Sequence, residues 1–505
     1  MSKPITESPA SVNSLSLVTI STTMAAENYQ STFRRFNSPF WQVVLVSLVA
    51  FGCPGIYNAL TGVGGGGQLN STTQAKSHIA LASVSAFGNL FIAPVVTNQI
   101  GPKWTLFLGG TTYVLYAGSL LAYSHIKNEA FVVAAGGVLG IGASFLWIAQ
   151  GGIMTGYPLP SQHGRSIGIF WFIFNLGGFL GSIISFALNF HSTAGTVTDS
   201  TYIAFMCIMA AGCCCALFLL KPENVIREDG TRAGVAQRPS IWKEFVATVK
   251  ILGRWETIAL IPFWFSANCM FIVPSPFHPS VAAANMSHPD FYNYQQNTVN
   301  GKLFNIRTRS FNGAMYWLAQ MVSSYLCGML LDNKRMGRRS RAIWGYMLSG
   351  LLALVIWGGG LALQLRRGPS GHYYKLREMD LVDSGTKYAG PFVLYFCYGA
   401  FDAIWQTLCY WTLAYLADES PEQAARFVGA FKAFEATGSA MASKINSSST
   451  NYNVEFGLNC GILFFGWLCA LTVAFKVKDM PAEGDLALDG IGKEADMIDQ
   501  IEEKA

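Results

Sequence analysis

The chain has 505 residues, of which 51% are hydrophobic and only 12% charged, against about a quarter charged in an ordinary soluble domain. The apolar residues fall into repeated uninterrupted runs of roughly twenty, long enough to cross a bilayer as helices, which excludes a soluble enzyme and predicts a polytopic membrane protein. A net charge of +5 is mild, and no Lys/Arg patch interleaved with aromatics forms a nucleic-acid groove, so nucleic acid is not an expected partner.

Residues 1–38 are Ser/Thr-rich and lack an apolar h-region; they are expected to be a disordered cytosolic tail, not a cleaved signal peptide. Candidate spans follow near 40–60, 78–98, 104–124, 131–151, 166–189 and 201–220, giving an N-terminal unit over 39–220. A polar, basic linker at 221–255 separates them from spans near 256–275, 311–331, 342–363, 390–415, 425–444 and 455–475, a C-terminal unit over 256–476. Residues 477–505 are a polar, acidic tail. The expected fold is all-α, with twelve transmembrane helices in two six-helix bundles. The eleven cysteines lie within apolar segments with no C-x-x-C pair, so they are read as small core residues, and neither a metal nor a cofactor is expected.

An even number of spans puts both termini on one side, and positive charge decides which. With a cytosolic N-terminus, 22 of the 34 Lys and Arg fall inside, 11 outside and Lys432 within a span; the main exception is the outer loop 364–389. Three N-x-[ST] sequons, Asn70, Asn285 and Asn446, fall in the loops after spans one, seven and eleven, all expected to be external and open to glycosylation.

One loop feature occurs twice. After span two comes Asn98-Gln99-Ile100-Gly101-Pro102-Lys103, and after span eight comes Gly328 to Arg339, including Asp332, Gly337 and Arg338. The offset is 234 residues between Asn98 and Asp332 and 236 between Gly101 and Gly337, as for two parallel six-span repeats. The second copy resembles the G-x-x-x-D-[RK]-x-G-[RK]-[RK] loop of the major facilitator superfamily, with two extra residues before Gly337; the first has Pro94 and Asn98 where that loop has glycine and aspartate. An aspartate there can pair with arginines at the start of the next helix or face a helix N-terminus, forming a latch that breaks in another conformation. Asn98 cannot form such an ion pair.

Span-interior patterns narrow the resemblance. Pro54-Gly55-Ile56-Tyr57-Asn58-Ala59-Leu60, Gly140 to Gly151 followed by Tyr157-Pro158, Gly164 to Trp171, and Gly399 to Gln406 with Tyr410-Trp411 are together similar to the uncoordinated-93-like family, especially its fungal members, over about 38–475. The resemblance implies a major facilitator fold, with some animal relatives associated with channel regulation or receptor trafficking. The chain departs from sugar and drug transporters of the superfamily in having no basic residue in span four; Gly177 and Gly181 in span five have the spacing of close helix packing.

Candidate binding residues are the polar exceptions inside spans. Asp402 lies halfway along span ten, where an ionised group costs on the order of 2.5–3.5 kcal/mol and is expected to face the bundle interior, and Gln406 shares its face one turn on. Lys432 and Glu435 are three apart on one face of span eleven, where Lys432 can pair with Glu435, snorkel to the nearer end, or neutralise Asp402. In the N-terminal half the candidates are neutral: Tyr57, Asn58, Asn89, Gln150 and Asn175. No H-E-x-x-H or G-x-S-x-G is present, so enzymatic chemistry is not expected. The leading expectation is a secondary transporter or facilitator of a small solute or ion, working by alternating access within the lipid bilayer; the alternative is a non-transporting regulator or trafficking partner of another membrane protein.

Overall fold

The computed structural model describes residues 36–62, 71–189, 199–233, 240–269, 306–333, 335–365, 380–382, 384–417, 420–446 and 452–479. All twelve predicted spans contain helix. The first comprises α1 (Pro39–Ala50), a π-helical turn (Phe51–Gly55) holding Pro54, and α2 (Ile56–Gly62). The second comprises α3 (Ser71–Phe87), a π-helical turn (Gly88–Ile92) and α4 (Ala93–Ile100). Then come α5 (Pro102–Ile126), α6 (Glu129–Gly156), α7 (His163–Asn189) and α8 (Asp199–Cys215). The linker carries α9 (Ile241–Leu252), and the second half holds α10 (Trp255–Cys269), α11 (Ile306–Leu331), α12 (Arg338–Leu365), α13 (Thr386–Leu416), α14 (Pro421–Asn446) and α15 (Tyr452–Ala474). Among the described residues, nine stretches are long and apolar enough to cross a membrane; the regions of α8, α10 and α14 are not among them. Five Lys, Arg and Glu residues distributed along α14 account for its case.

Local chemistry sets the boundaries. Gly101, at φ +83°, breaks α4 from α5, a conformation that a side chain disfavours. Pro102 then opens α5 at a position where its missing N–H costs nothing. The Asn128 side chain accepts from Phe131 N at 3.2 Å and caps α6. Gly177 and Gly181 do serve close packing: a Cβ on Gly177 would sit 2.8 Å from Phe51 O, and one on Gly181 would collide with Ala59. The outer surface is apolar, with Leu351, Leu354 and Val355 of α12 between 59 and 67% exposed, the inversion that a lipid solvent requires.

The segment 221–255, read as a polar, basic linker, is held against the first half. Ile226 N donates to Asn37 O at 3.0 Å, and the buried Arg227 donates to Tyr157 O (3.0 Å) and Gly156 O (2.9 Å), stapling the segment to the first half. Span six is also shorter than expected: α8 gives way to a 3-10 turn at Ala216–Phe218. Asn446 is the last residue of α14 and not part of a loop, while Asn70 and Asn285 lie outside the described residues. Described residues at the ends of α4, α6, α11 and α13 and in the linker meet at one end of the molecule, through Asn98–Glu244–Arg426, Asp332–Gly164, Arg227–Tyr157 and Arg338–Tyr415; this is the basic end.

Candidate functional site

Side chains from α11, α13 and α14 meet in the middle of the second half. Asp402, the seventeenth residue of the 31-residue α13, is 7% exposed. It accepts hydrogen bonds from two neutral donors, Tyr316 Oη (3.0 Å) and Gln320 Nε2 (2.9 Å), both on α11. One turn on, Gln406 Nε2 donates to Glu435 Oε1 at 2.8 Å, and the other carboxylate oxygen of Glu435 lies 2.6 Å from Lys432 Nζ. The predicted residues Gln406, Glu435 and Lys432 therefore form one buried, hydrogen-bonded chain, and Asp402, one turn away on α13, is buried with partners of its own. Of the three fates open to Lys432, the structure selects the local i,i+3 pair: the residue is 6% exposed, so it does not snorkel, and Asp402 has its own donors.

The ammonium of Lys432 also crosses to the first half, lying 4.5 Å from the ring centroid of Trp147 on α6 and 4.7 and 5.5 Å from those of Phe431 and Tyr410. Such an aromatic surround stabilises a desolvated cation by roughly 2 kcal/mol. Gln150, one turn from Trp147, accepts from Tyr410 Oη at 3.3 Å, a second bridge between the halves, and Trp171 of α7 packs edge-on against Tyr410 at 6.2 Å. One turn further along α7, Asn175 is buried with both side-chain polar atoms unpartnered, as are Asn89 Oδ1 and Gln406 Oε1. Buried polar atoms in this condition are costly unless something fills them. Tyr57, by contrast, packs against Tyr113 and Tyr116 of α5 at 5.8 and 5.6 Å within the first half, and Asn58 is half-buried beside it. Sequence reasoning missed Tyr316, Gln320, Trp147 and Tyr410; neutral polar and aromatic residues in apolar runs give no signal of which side chain they will meet.

At the basic end the repeated loop makes two different clasps between the halves. Asp332 accepts from the backbone N–H of Gly164 (2.8 Å) and Arg165 (2.6 Å), capping the N-terminus of α7 in the opposite half. This was one of the two roles expected for it, and favours a carboxylate through the free N–H groups and the helix dipole. Gly328 and Gly164 permit the approach: a Cβ on Gly164 would lie 2.5 Å from Gly328 O. Burial nonetheless outweighs these donors and pushes the Asp332 carboxyl up to about 6. Arg338 lies over the Tyr415 ring at 5.1 Å, and Arg339 N donates to Asp479 Oδ1 at 2.8 Å, so an acidic residue after the last span caps α12; Gly337 faces that same carboxylate.

The first copy is completed from elsewhere. Asn98 Nδ2 donates to Glu244 Oε1 of α9 at 3.0 Å, and Glu244, 1% exposed, forms a bidentate pair with Arg426 of α14 at 2.6 and 2.7 Å. Beside it, Gly429 of α14 sits where a Cβ would be 2.6 Å from Asn89 O. Lys103 stays near its neighbour Trp104, 5.9 Å from the ring centroid.

Comparison with known proteins places this architecture. A family model described as ion channel regulatory protein UNC-93 matches residues 76–447. The chain belongs to the UNC-93 family. It is 40% identical to UNC93-like protein 1 of Arabidopsis thaliana over 455 residues, covering 88% of this chain and 92% of the relative. An UNC93-like protein of Schizosaccharomyces pombe is 36% identical over 453 residues, covering 89% of this chain and 84% of the relative. In fold, this UNC-93 family chain is similar to the E. coli fucose:proton symporter FucP (TM-score 0.56, 10% identity, 88% of this chain and 99% of that one). It is also similar to the major facilitator proton:xylose symporter XylE (TM-score 0.54, 13% identity, 87% and 96%). It is thus a multi-pass membrane protein of the major facilitator fold in contact with the lipid bilayer, nearly all helical over the described residues.

Proposed function

We propose that this chain is a secondary transporter or facilitator of a small solute or ion, with Asp402, Gln406, Glu435 and Lys432 forming one wall of the binding site and Trp147, Gln150 and Asn175 the other. The observation that carries this reading is a buried charged system at mid-span that reaches across to the opposite half through Lys432–Trp147 and Tyr410–Gln150. Ionisable groups at that depth are costly to insert and mark solute or ion paths. The major facilitator fold supports alternating access, in which two bundles rock about such a site. The positive-charge bias favours the basic end as cytosolic, with both termini on that side and residues 39–220 and 256–476 as the moving units. Both clasps join the halves at the basic end, so they would have to open for release there. The test is flux in liposomes: once a solute or ion is found that the purified protein carries, Asp402→Asn should slow its flux at least tenfold, and an unchanged rate removes Asp402 from the site.

The description of the matching family model favours a second reading, regulation or trafficking of another membrane protein. That reading requires a stoichiometric membrane-protein partner on purification from native membranes, and its absence counts against it.

A further inference from the structure

Helix α9 has two faces of opposite character. Glu244, Thr248 and Ile251 are buried against the protein, whereas Ile241, Trp242, Phe245 and Val249 are 67, 71, 40 and 47% exposed. Their spacing gathers the exposed residues into one stripe, so the large apolar side chains point away from the molecule. That stripe is continuous with a surface that faces lipid. Trp242 stacks on Phe245 at 5.6 Å, Phe245 stacks on Phe91 at 5.7 Å, and Phe91 contacts Phe87, which is 59% exposed; both phenylalanines belong to the apolar stretch Lys76–Ile100. Exposed Lys243 and Lys250 lie together beyond the stripe's edge that is farther from the buried face. At the same end Lys476 sits 3.9 Å from the ring centroid of Trp255, which is 42% exposed, and the exposed Trp104 lies beside Lys103. Tryptophans with adjoining lysines, and an apolar stripe with lysines beyond one edge, are the composition of a membrane–water boundary.

We propose that α9 is an in-plane membrane helix, seated with Ile241, Trp242, Phe245 and Val249 in the headgroup–acyl boundary of the leaflet at the basic end, and that this seat holds Glu244 in its clasp. The two roles are linked because they occupy adjoining faces of one twelve-residue helix. A helix lifted from the leaflet withdraws the carboxylate that joins Asn98 to Arg426, and a leaflet that draws the helix in closes the clasp. The bilayer is thereby a ligand of the closed basic end, whatever the protein carries.

The test uses the full chain in nanodiscs of phosphatidylcholine with phosphatidylserine. Photoreactive benzoylphenylalanine placed at Val249 should give phospholipid adducts, read by mass spectrometry, at least five times more often than the same probe at the exposed loop residue Asp229. Equal adduct yields at the two positions overturn the proposal. Hydrogen–deuterium exchange then reads the link: Trp242→Glu with Phe245→Glu should speed exchange of residues 241–252 and of the first turns of α14 at least tenfold, while α12 is unchanged. Lipid adducts at Val249 accompanied by unaltered exchange in α14 would overturn the coupling to the clasp. Should the double variant not fold, Val249→Glu, which adds a single charge to the stripe, takes its place with the same readout.

Discussion

The two clasps at the basic end descend from one repeated loop yet hold the halves together by different physics. In the second copy the aspartate survives, and Asp332 binds two backbone N–H groups at the start of α7 without needing a side-chain cation to do so. In the first copy the aspartate position is Asn98, and the carboxylate is brought in by the linker helix, where Glu244 meets Arg426 in a buried bidentate pair. The lesson is that a missing charge in a motif does not mean a missing interaction. A third element has supplied it, and in doing so has made that clasp dependent on where α9 sits.

The difference can be broken from either side. Glu244→Gln leaves the Arg426 guanidinium desolvated without a counter-charge, a change that costs about 3–5 kcal/mol in buried pairs. It should lower Tm more than any other substitution in either clasp, and adding Arg426→Gln should recover a large part of the loss. Asp332→Ala strands two N–H groups at the α7 N-terminus, a loss of roughly 2–3 kcal/mol by thermal or denaturant melts. Asp332→Asn keeps one acceptor and sheds the burial cost of the charge, so it should stay within about 1 kcal/mol of the parent. The same acid-to-amide change thus separates the clasps: severe in one, mild in the other.

Asn98→Asp restores the motif on paper. Because Glu244 already occupies the site, the second carboxylate loses the amide donor and adds repulsion, and the clasp should weaken by roughly 1–2 kcal/mol. Faster hydrogen exchange in the first turns of α14 is the expected readout; slower exchange would mean that the charge is welcome there. The smallest effect is on pH. Burial raises Asp332 to about 6, so the clasped form holds its proton more tightly than a solvated carboxylate near 3.8. Its contribution is fully present below 3.8 and is lost as pH rises through about 6. Protection of the α7 N-terminus, corrected for the intrinsic exchange rate, should therefore increase on going from pH 7.5 to pH 5, by about 1 kcal/mol, and Asp332→Asn should abolish that dependence.

How much of this could be read in advance depended on whether the signal was local. Helix positions followed from apolar runs, because these are properties of one segment, whereas the i,i+3 spacing of Lys432 and Glu435 offered their pair as only one of three fates for the lysine. The role of Asp332 as a helix cap was one of two open choices; its partner lies 168 residues away, at Gly164. Tyr316 and Gln320 had no signature at all: each is one polar group in an apolar run, and only the packing of α11 on α13 turns them toward Asp402. Glu244 was hidden in a stretch read as polar linker, since a carboxylate there looks like any solvated charge until α9 is docked.

By itself the sequence determined that the chain is a multi-pass helical membrane protein, where its apolar runs lie, and that a few charged residues stand apart inside them; of the twelve runs it offers, nine are long and apolar enough to cross a membrane among the described residues. These follow from composition and periodicity, because the bilayer core imposes a length and an apolarity that each span meets, or fails to meet, on its own. The tertiary structure decided which charges neutralise which, that Tyr57 packs against Tyr113 and Tyr116, and that Glu244 of the linker joins Asn98 to Arg426. Those outcomes rest on distances of about 3 Å between side chains far apart in the chain. Whether a buried charge is costly or useful depends on that partner, which only the folded molecule provides.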